Sequence, residues 1–167
     1  SIVSNQVLFT PTAYFSGTGS FEYTVADPDG DTATASVSVT ITPVGTEPNL
    51  VASNVAGDQD TAIALAITSS LVDTDGSETL SIELGGIPDG SLLSVGTVVA
   101  GSVTLTEAQL SGLTLTPPTS YSGSFDLTVT ATVTETANSS TATTVDIFTI
   151  VVNTVTADNM PAAVTDT

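Results

Sequence analysis

The chain has 167 residues, 18 of them Asp or Glu and none Lys, Arg or His, giving a formal net charge of −18. Internal side-chain salt bridges are therefore excluded, and so is the binding of nucleic acid, which depends on Lys and Arg displacing counterions from phosphate. Cysteine is absent, which removes disulfides, zinc-thiolate sites and thiol chemistry, and no apolar run approaches the roughly 20 residues of a membrane span.

In chain order, the first clear element is Ser20-Phe21-Glu22-Tyr23-Thr24-Val25, where Phe21, Tyr23 and Val25 share one face. Residues 32–42 continue the period of two, with Ala33, Ala35, Val37, Val39 and Ile41 on one side. Between them, Asp27-Pro28-Asp29-Gly30-Asp31 carries an Asp-Gly turn signal, so the stretch predicts a β-hairpin. Short strands are predicted near 49–55, 61–68, 79–84, 91–99, 102–105 and 113–116. Residues 106–110 predict a single helical turn with Thr106 as its N-cap. A second long hairpin is predicted from 122–134 and 142–153, where the apolar phase switches between Ile147 and Phe148 and implies a β-bulge.

The segments that lead into the two hairpins are alike. Leu8-Phe9-Thr10-Pro11, then Tyr14, Ser16-Gly17 and Phe21, parallels Leu115-Thr116-Pro117, then Tyr121, Ser122-Gly123 and Phe125. An internal repeat of about one hundred residues has the size of one β-sandwich. Residues 1–46 then read as the closing half of one sandwich repeat, 47–156 as a complete repeat and 157–167 as a linker or the start of the next. The chain opens on Ser1-Ile2-Val3 without an initiator Met or a signal-peptide pattern, and is expected to be a processed or excised piece.

Charged residues make up 11% and apolar residues 40%, with a positive mean hydropathy of +0.37, so a folded chain is expected rather than a disordered one. Its acidity then has to be accommodated. Two carboxylates about 4 Å apart repel by roughly 4 kcal/mol at an effective dielectric near 20. Scattered over a surface such charges are tolerable, but clustered in loops they call for a bound cation, and a module without disulfides needs a staple of some kind.

The run Phe9-Thr10-Pro11, Tyr14, Gly17, Phe21-Glu22-Tyr23-Thr24-Val25 and Asp29-Gly30 resembles the cadherin-like tandem repeats of giant bacterial surface proteins. Asp58-Gln59-Asp60-Thr61-Ala62-Ile63, Asp73-Thr74-Asp75-Gly76-Ser77-Glu78-Thr79-Leu80 and the stretch from Leu115-Thr116-Pro117-Pro118 to Thr130-Ala131-Thr132 resemble the Ig-like repeats of RTX-type adhesins. The resemblance implies an all-β, Ig-like or cadherin-like sandwich. It also implies a role as an extender or scaffold repeat in a secreted, calcium-rigidified adhesin on the bacterial surface. Such linkers usually carry an Asn-Asp-Ala-Pro-like sequence; here Thr46-Glu47-Pro48-Asn49 stands instead, so Glu47 or Asn49 would have to substitute. The glycine-rich nonapeptide of calcium β-rolls is missing.

In an up-and-down sandwich, loops alternate between the two ends. The Asp73–Glu78 loop and Glu135 are then expected at the N-terminal end beside Glu47 and Asn49. Asp58, Asp60 and Asp89-Gly90 are expected at the other end, near Asp158 and Asn159, and Asp27, Asp29 and Asp31 form a similar acidic loop in the first hairpin. Ca²⁺, which takes six to eight oxygen ligands, is the expected cofactor, with Asp73, Asp75, Glu78 and Glu135 as its central ligands. The bland reading is that Asp29-Gly30, Asp75-Gly76 and Asp89-Gly90 are ordinary turn dipeptides. EF-hand loops are excluded, because twelve-residue loops starting at Asp27 or Asp73 would end on Ser38 or Leu84.

Catalysis is not expected, since the chain lacks His, Lys, Arg and Cys, its carboxylates sit in turns, and no Trp offers a sugar platform. Neighbouring repeats or identical subunits are the expected partners, with a host-cell or surface ligand reached through other domains. Two alternatives stand beside the extender role. One is a filament subunit completed by strand donation from residues 1–43. The other is a glycan-, peptide- or ice-binding module using the hydroxyl row Thr128, Thr130, Thr132 and Thr134, which is more simply the wet face of a strand. Asn138-Ser139-Ser140 fits the N-glycosylation pattern and reads here as a polar loop.

Overall fold

A computed structural model describes residues 2–3 and 6–155. Asp158, Asn159 and the 157–167 segment fall outside the described residues. The strands are β1 (Ile2–Val3), β2 (Gln6–Val7), β3 (Gly17–Ala26), β4 (Thr32–Ile41), β5 (Asn49–Ser53), β6 (Val55–Asp58) and β7 (Ile63–Ala64). They continue with β8 (Ala66–Ser70), β9 (Glu78–Gly85), β10 (Leu92–Leu93), β11 (Val103–Leu105), β12 (Thr114–Thr116), β13 (Gly123–Glu135) and β14 (Thr141–Asn153). One 3₁₀ turn, Glu107–Leu110, lies between β11 and β12, and the Gln109 side chain accepts the Thr106 amide at 2.8 Å. No helix among the described residues is long and apolar enough to cross a membrane.

The molecule is an all-β sandwich with a hairpin ahead of it. One layer is a five-stranded sheet ordered β11-β9-β13-β14-β6. The facing layer joins β10-β12-β7 to β5-β8, because Leu65, between β7 and β8, donates its amide to Leu113 and carries the ladder across. Alternation builds the core: Ile82 and Leu84 of β9, Leu127, Val129 and Ala131 of β13, and Ile150 of β14 are fully buried. Ile63, Ile67, Leu113 and Leu115 close over them from the other layer. The first hairpin, β3 and β4, pairs in unbroken register from Gly17↔Ile41 to Ala26↔Thr32 and forms its own two-stranded sheet. Tyr23 and Val25, on its apolar face, remain 44% and 54% exposed.

Several sequence expectations are corrected. The strand expected at 91–99 reduces to Leu92–Leu93. The strand expected at 49–55 breaks at Asn54: β5 pairs antiparallel with β8 in one layer, while β6 pairs parallel with β14 in the other. The Asn54 side chain accepts the Thr149 amide and stitches the crossing point, so the sandwich is not a simple up-and-down one. No bulge interrupts β14, which pairs with β13 continuously from Thr141 to Val152. The inward phase simply runs through polar residues first, Thr144 and then Asp146, while Val145 and Ile147 point outward and are 55% and 63% exposed. Asp146 is tolerated because its carboxylate accepts the amide of Ala52, satisfying a β5 donor that no strand reaches.

Candidate metal centre

The acidic loop lies between β8 and β9 and is folded by its own carboxylates. Asp73 accepts the Asp75 amide at 3.1 Å and Asp75 accepts the Ser77 amide at 2.8 Å, two successive Asx turns. Gly76 supplies the positive φ of +92° that the reversal requires. This winding brings one oxygen each of Asp73, Asp75 and Glu78 within 4.8 Å of one another.

Glu78 opens β9 in the same phase as Ile82 and Leu84, and Glu135 ends β13 in the same phase as Val129, Ala131 and Val133. Both glutamates therefore face inward, and the strand register sets them directly opposite one another. Like charges in that position are destabilising. Glu135 is 2% exposed but well satisfied, accepting the Ser77 hydroxyl at 2.9 Å and the Ala137 amide at 3.1 Å.

Glu78 is in a different position. It is 8% exposed, and both of its carboxylate oxygens are buried without a hydrogen-bond partner. Burial raises its pKa above the ordinary value, and the charges of Asp73, Asp75 and Glu135 push it the same way. The Thr46 backbone amide offsets part of this as a nearby dipole, although it does not meet hydrogen-bond geometry. Asp75, out in solvent, is shifted oppositely, held below the usual carboxylate value by the Ser77 hydroxyl and amide.

Above the cluster, Tyr14–Ser16 and Thr42–Val44 enclose, with Asp73 and Glu135, a cavity of about 140 Å³. The donor set is all oxygen, carries several negative charges in close range and meets no cationic side chain anywhere in the chain. Such a set fits a hard divalent cation, and the tolerance of Ca²⁺ for irregular ligand geometry suits it better than the strict octahedron of Mg²⁺.

The remaining sequence candidates are placed elsewhere. Glu47 is exposed on the linker, outside the three-carboxylate group, and Asn49 donates its side-chain amide to Ser70. Asp27 accepts the amides of Asp29 and Asp31, so this loop is shaped as an exposed turn at the hairpin tip. Asp60 accepts the Ser120 amide at 2.7 Å, Asp58 lies 3.5 Å from the Asn153 side chain, and Asp89 is exposed in the turn closed by Ser91 and Pro88. Neither of these two sets forms a three-carboxylate group among the described residues.

Sequence reasoning did not identify Ser77, Thr46 or the contacts made by Asn138 and Ser140 at this end. The sequence names Glu78 and Glu135 as ligands but as loop residues; the structure places them at strand ends, each at a position where alternation calls for an apolar residue.

Among known proteins, residues 1–40 match the family model described as the bacterial Ig domain. The match covers the first hairpin and roughly a quarter of the chain. A search of curated proteins gave no match. The matched segment supports an Ig-like repeat and agrees with the sandwich built by β5 to β14.

Proposed function

We propose that the chain is a structural extender module of a secreted bacterial surface protein, an adhesin or matrix component of the RTX type, stiffened by Ca²⁺ where successive repeats meet. Residues 1–46 then close one repeat, and 47–156 form the next. The observation that carries this reading is Glu78: a buried carboxylate with neither oxygen hydrogen-bonded, facing Glu135 and with an oxygen within 4.8 Å of those of Asp73 and Asp75. Since no side chain in the protein can neutralise it, the countercharge must be a proton or an ion from solution. The cluster faces the linker and the Tyr14–Ser16 segment, so an ion held there would tie the sandwich to the hairpin in front of it. The acidic inventory and the sandwich fold support a non-catalytic role.

Extracellular modules bind calcium at about 10⁻⁴–10⁻³ M. A ligand at about 100 times its Kd stabilises by roughly 2.7 kcal/mol, and at this chain length each kcal/mol is worth about 2–4 °C of Tm. Adding about 10 mM Ca²⁺ to chelated protein should therefore raise Tm by several degrees for a Kd near 10⁻⁴ M. An unchanged Tm, with no heat of binding in calorimetry, defeats the calcium reading.

A second reading is favoured by the exposed apolar face of β3–β4: a filament subunit in which residues 1–43 complete a neighbouring subunit. Sedimentation distinguishes the two. A strict monomer with protected amides in β3 and β4 rules out donation, and a concentration-dependent assembly that deletion of residues 1–43 abolishes supports it.

A further inference from the structure

The Glu135–Ser140 turn does more than end a strand. Its backbone closes on itself through Glu135 N–H to Ser140 O and Ser139 N–H to Glu135 O, both 2.8 Å, with Ser139 at a positive φ of 60°. On one side it is tied to the acidic loop, since the Thr136 amide and hydroxyl both donate to the Ser77 carbonyl. On the other side it reaches back nearly a hundred residues to the linker. The Asn138 side-chain amide donates to the Pro43 carbonyl at 2.7 Å, and the Ser140 hydroxyl accepts the Gly45 amide at 3.2 Å. Gly45 lies so close that a Cβ built on it would fall 3.0 Å from the Ser140 carbonyl oxygen. Asn138 is itself oriented by accepting the Ser140 amide at 2.9 Å.

We infer that this turn is a clasp that grips the 43–45 linker without any ion, fixing the β3–β4 hairpin against the sandwich in the metal-free protein. The Asn-Ser-Ser sequence then serves this grip: its first residue uses both ends of its side-chain amide, one to shape the turn and one to hold the linker. The approach at position 45 is tight: a Cβ there requires the linker or the Ser140 carbonyl to give by a few tenths of an ångström, and a branched side chain presses harder. The clasp does not depend on the calcium reading, because none of its bonds involves a carboxylate side chain of the cluster.

The test is nuclear spin relaxation of backbone amides in the full chain, carried out in chelator throughout. Amides of β3 and β4 are expected to share the correlation time of the sandwich amides. Asn138→Asp keeps the acceptor that orients the turn and replaces the donor to Pro43 with a charged acceptor that repels its carbonyl; Gly45→Val attacks the contact from the linker side. Each is expected to release the hairpin, seen as loss of the shared correlation time, while sandwich amide shifts away from the turn stay in place. Independent tumbling of the hairpin in the unaltered protein would overturn the inference, as would shared tumbling retained in both variants.

Discussion

At the scale of single residues, Glu78 concentrates the energetic conflict of the molecule. Its raised pKa means that the metal-free folded state holds a proton more tightly than the unfolded chain does, whose reference value is 4.5. The stability from this group is thus fully present below that value and is lost as pH rises through the higher folded pKa. Chelated protein should accordingly melt at a higher temperature near pH 5 than at neutral pH, read by calorimetry. Glu78→Gln removes the titration and the repulsion from its neighbours. In chelator at neutral pH it should raise Tm by about 2–4 °C for each kcal/mol relieved, flatten the pH dependence, and weaken Ca²⁺ binding at least tenfold in titration calorimetry. A variant that melts lower in chelator and binds calcium normally would remove Glu78 from the site.

At the scale of elements, β14 shows how burial phase and hydrophobicity can part company. Apolar Val145 and Ile147 lie on the outer face, while Asp146 points inward toward the amide of Ala52. Ile147→Thr should therefore change stability by no more than about 0.5 kcal/mol, whereas Phe148→Ala should cost about 3–5 kcal/mol. Denaturant titration checks both, and a large loss from Ile147→Thr would restore the bulge that the sequence suggested. Asp146→Ala should cost about 1–3 kcal/mol, because it strands the half-buried Ala52 amide.

At the scale of the whole molecule, a net charge of −18 strains the compact state everywhere, beyond any one site. Monovalent salt relieves such repulsion by screening, with a Debye length of about 10 Å at 0.1 M. Chelated protein should gain Tm gradually with NaCl up to that range. Calcium should act at millimolar concentration, well beyond NaCl of equal ionic strength, and Mg²⁺ should do less than Ca²⁺. Equal effects of the three salts at matched ionic strength would reduce the ion's role to screening. If both the clasp and the ion operate, calcium adds strength to a junction whose geometry is already set.

The sequence by itself determined the class of structure, because alternation with period two and Asp-Gly turns are local properties of the chain. It also determined that no buried carboxylate could be paired with a cationic side chain, because a composition without cations holds in every conformation. It named Glu78 and Glu135 as candidate ligands but left them in loops beside strands 79–84 and 122–134, whereas they open β9 and end β13 in phase with core residues. Only the tertiary structure decided that the two glutamates face each other, that the chain changes sheets at Asn54, and that Asn138 reaches Pro43. Those facts depend on strand register and loop closure between residues distant in sequence, where a shift of one residue would turn each side chain to the opposite face. Register is fixed by the packing of Ile82, Leu84, Leu127, Val129 and Ala131 as a set, and the carboxylates at the end of those rows are carried into opposition by it.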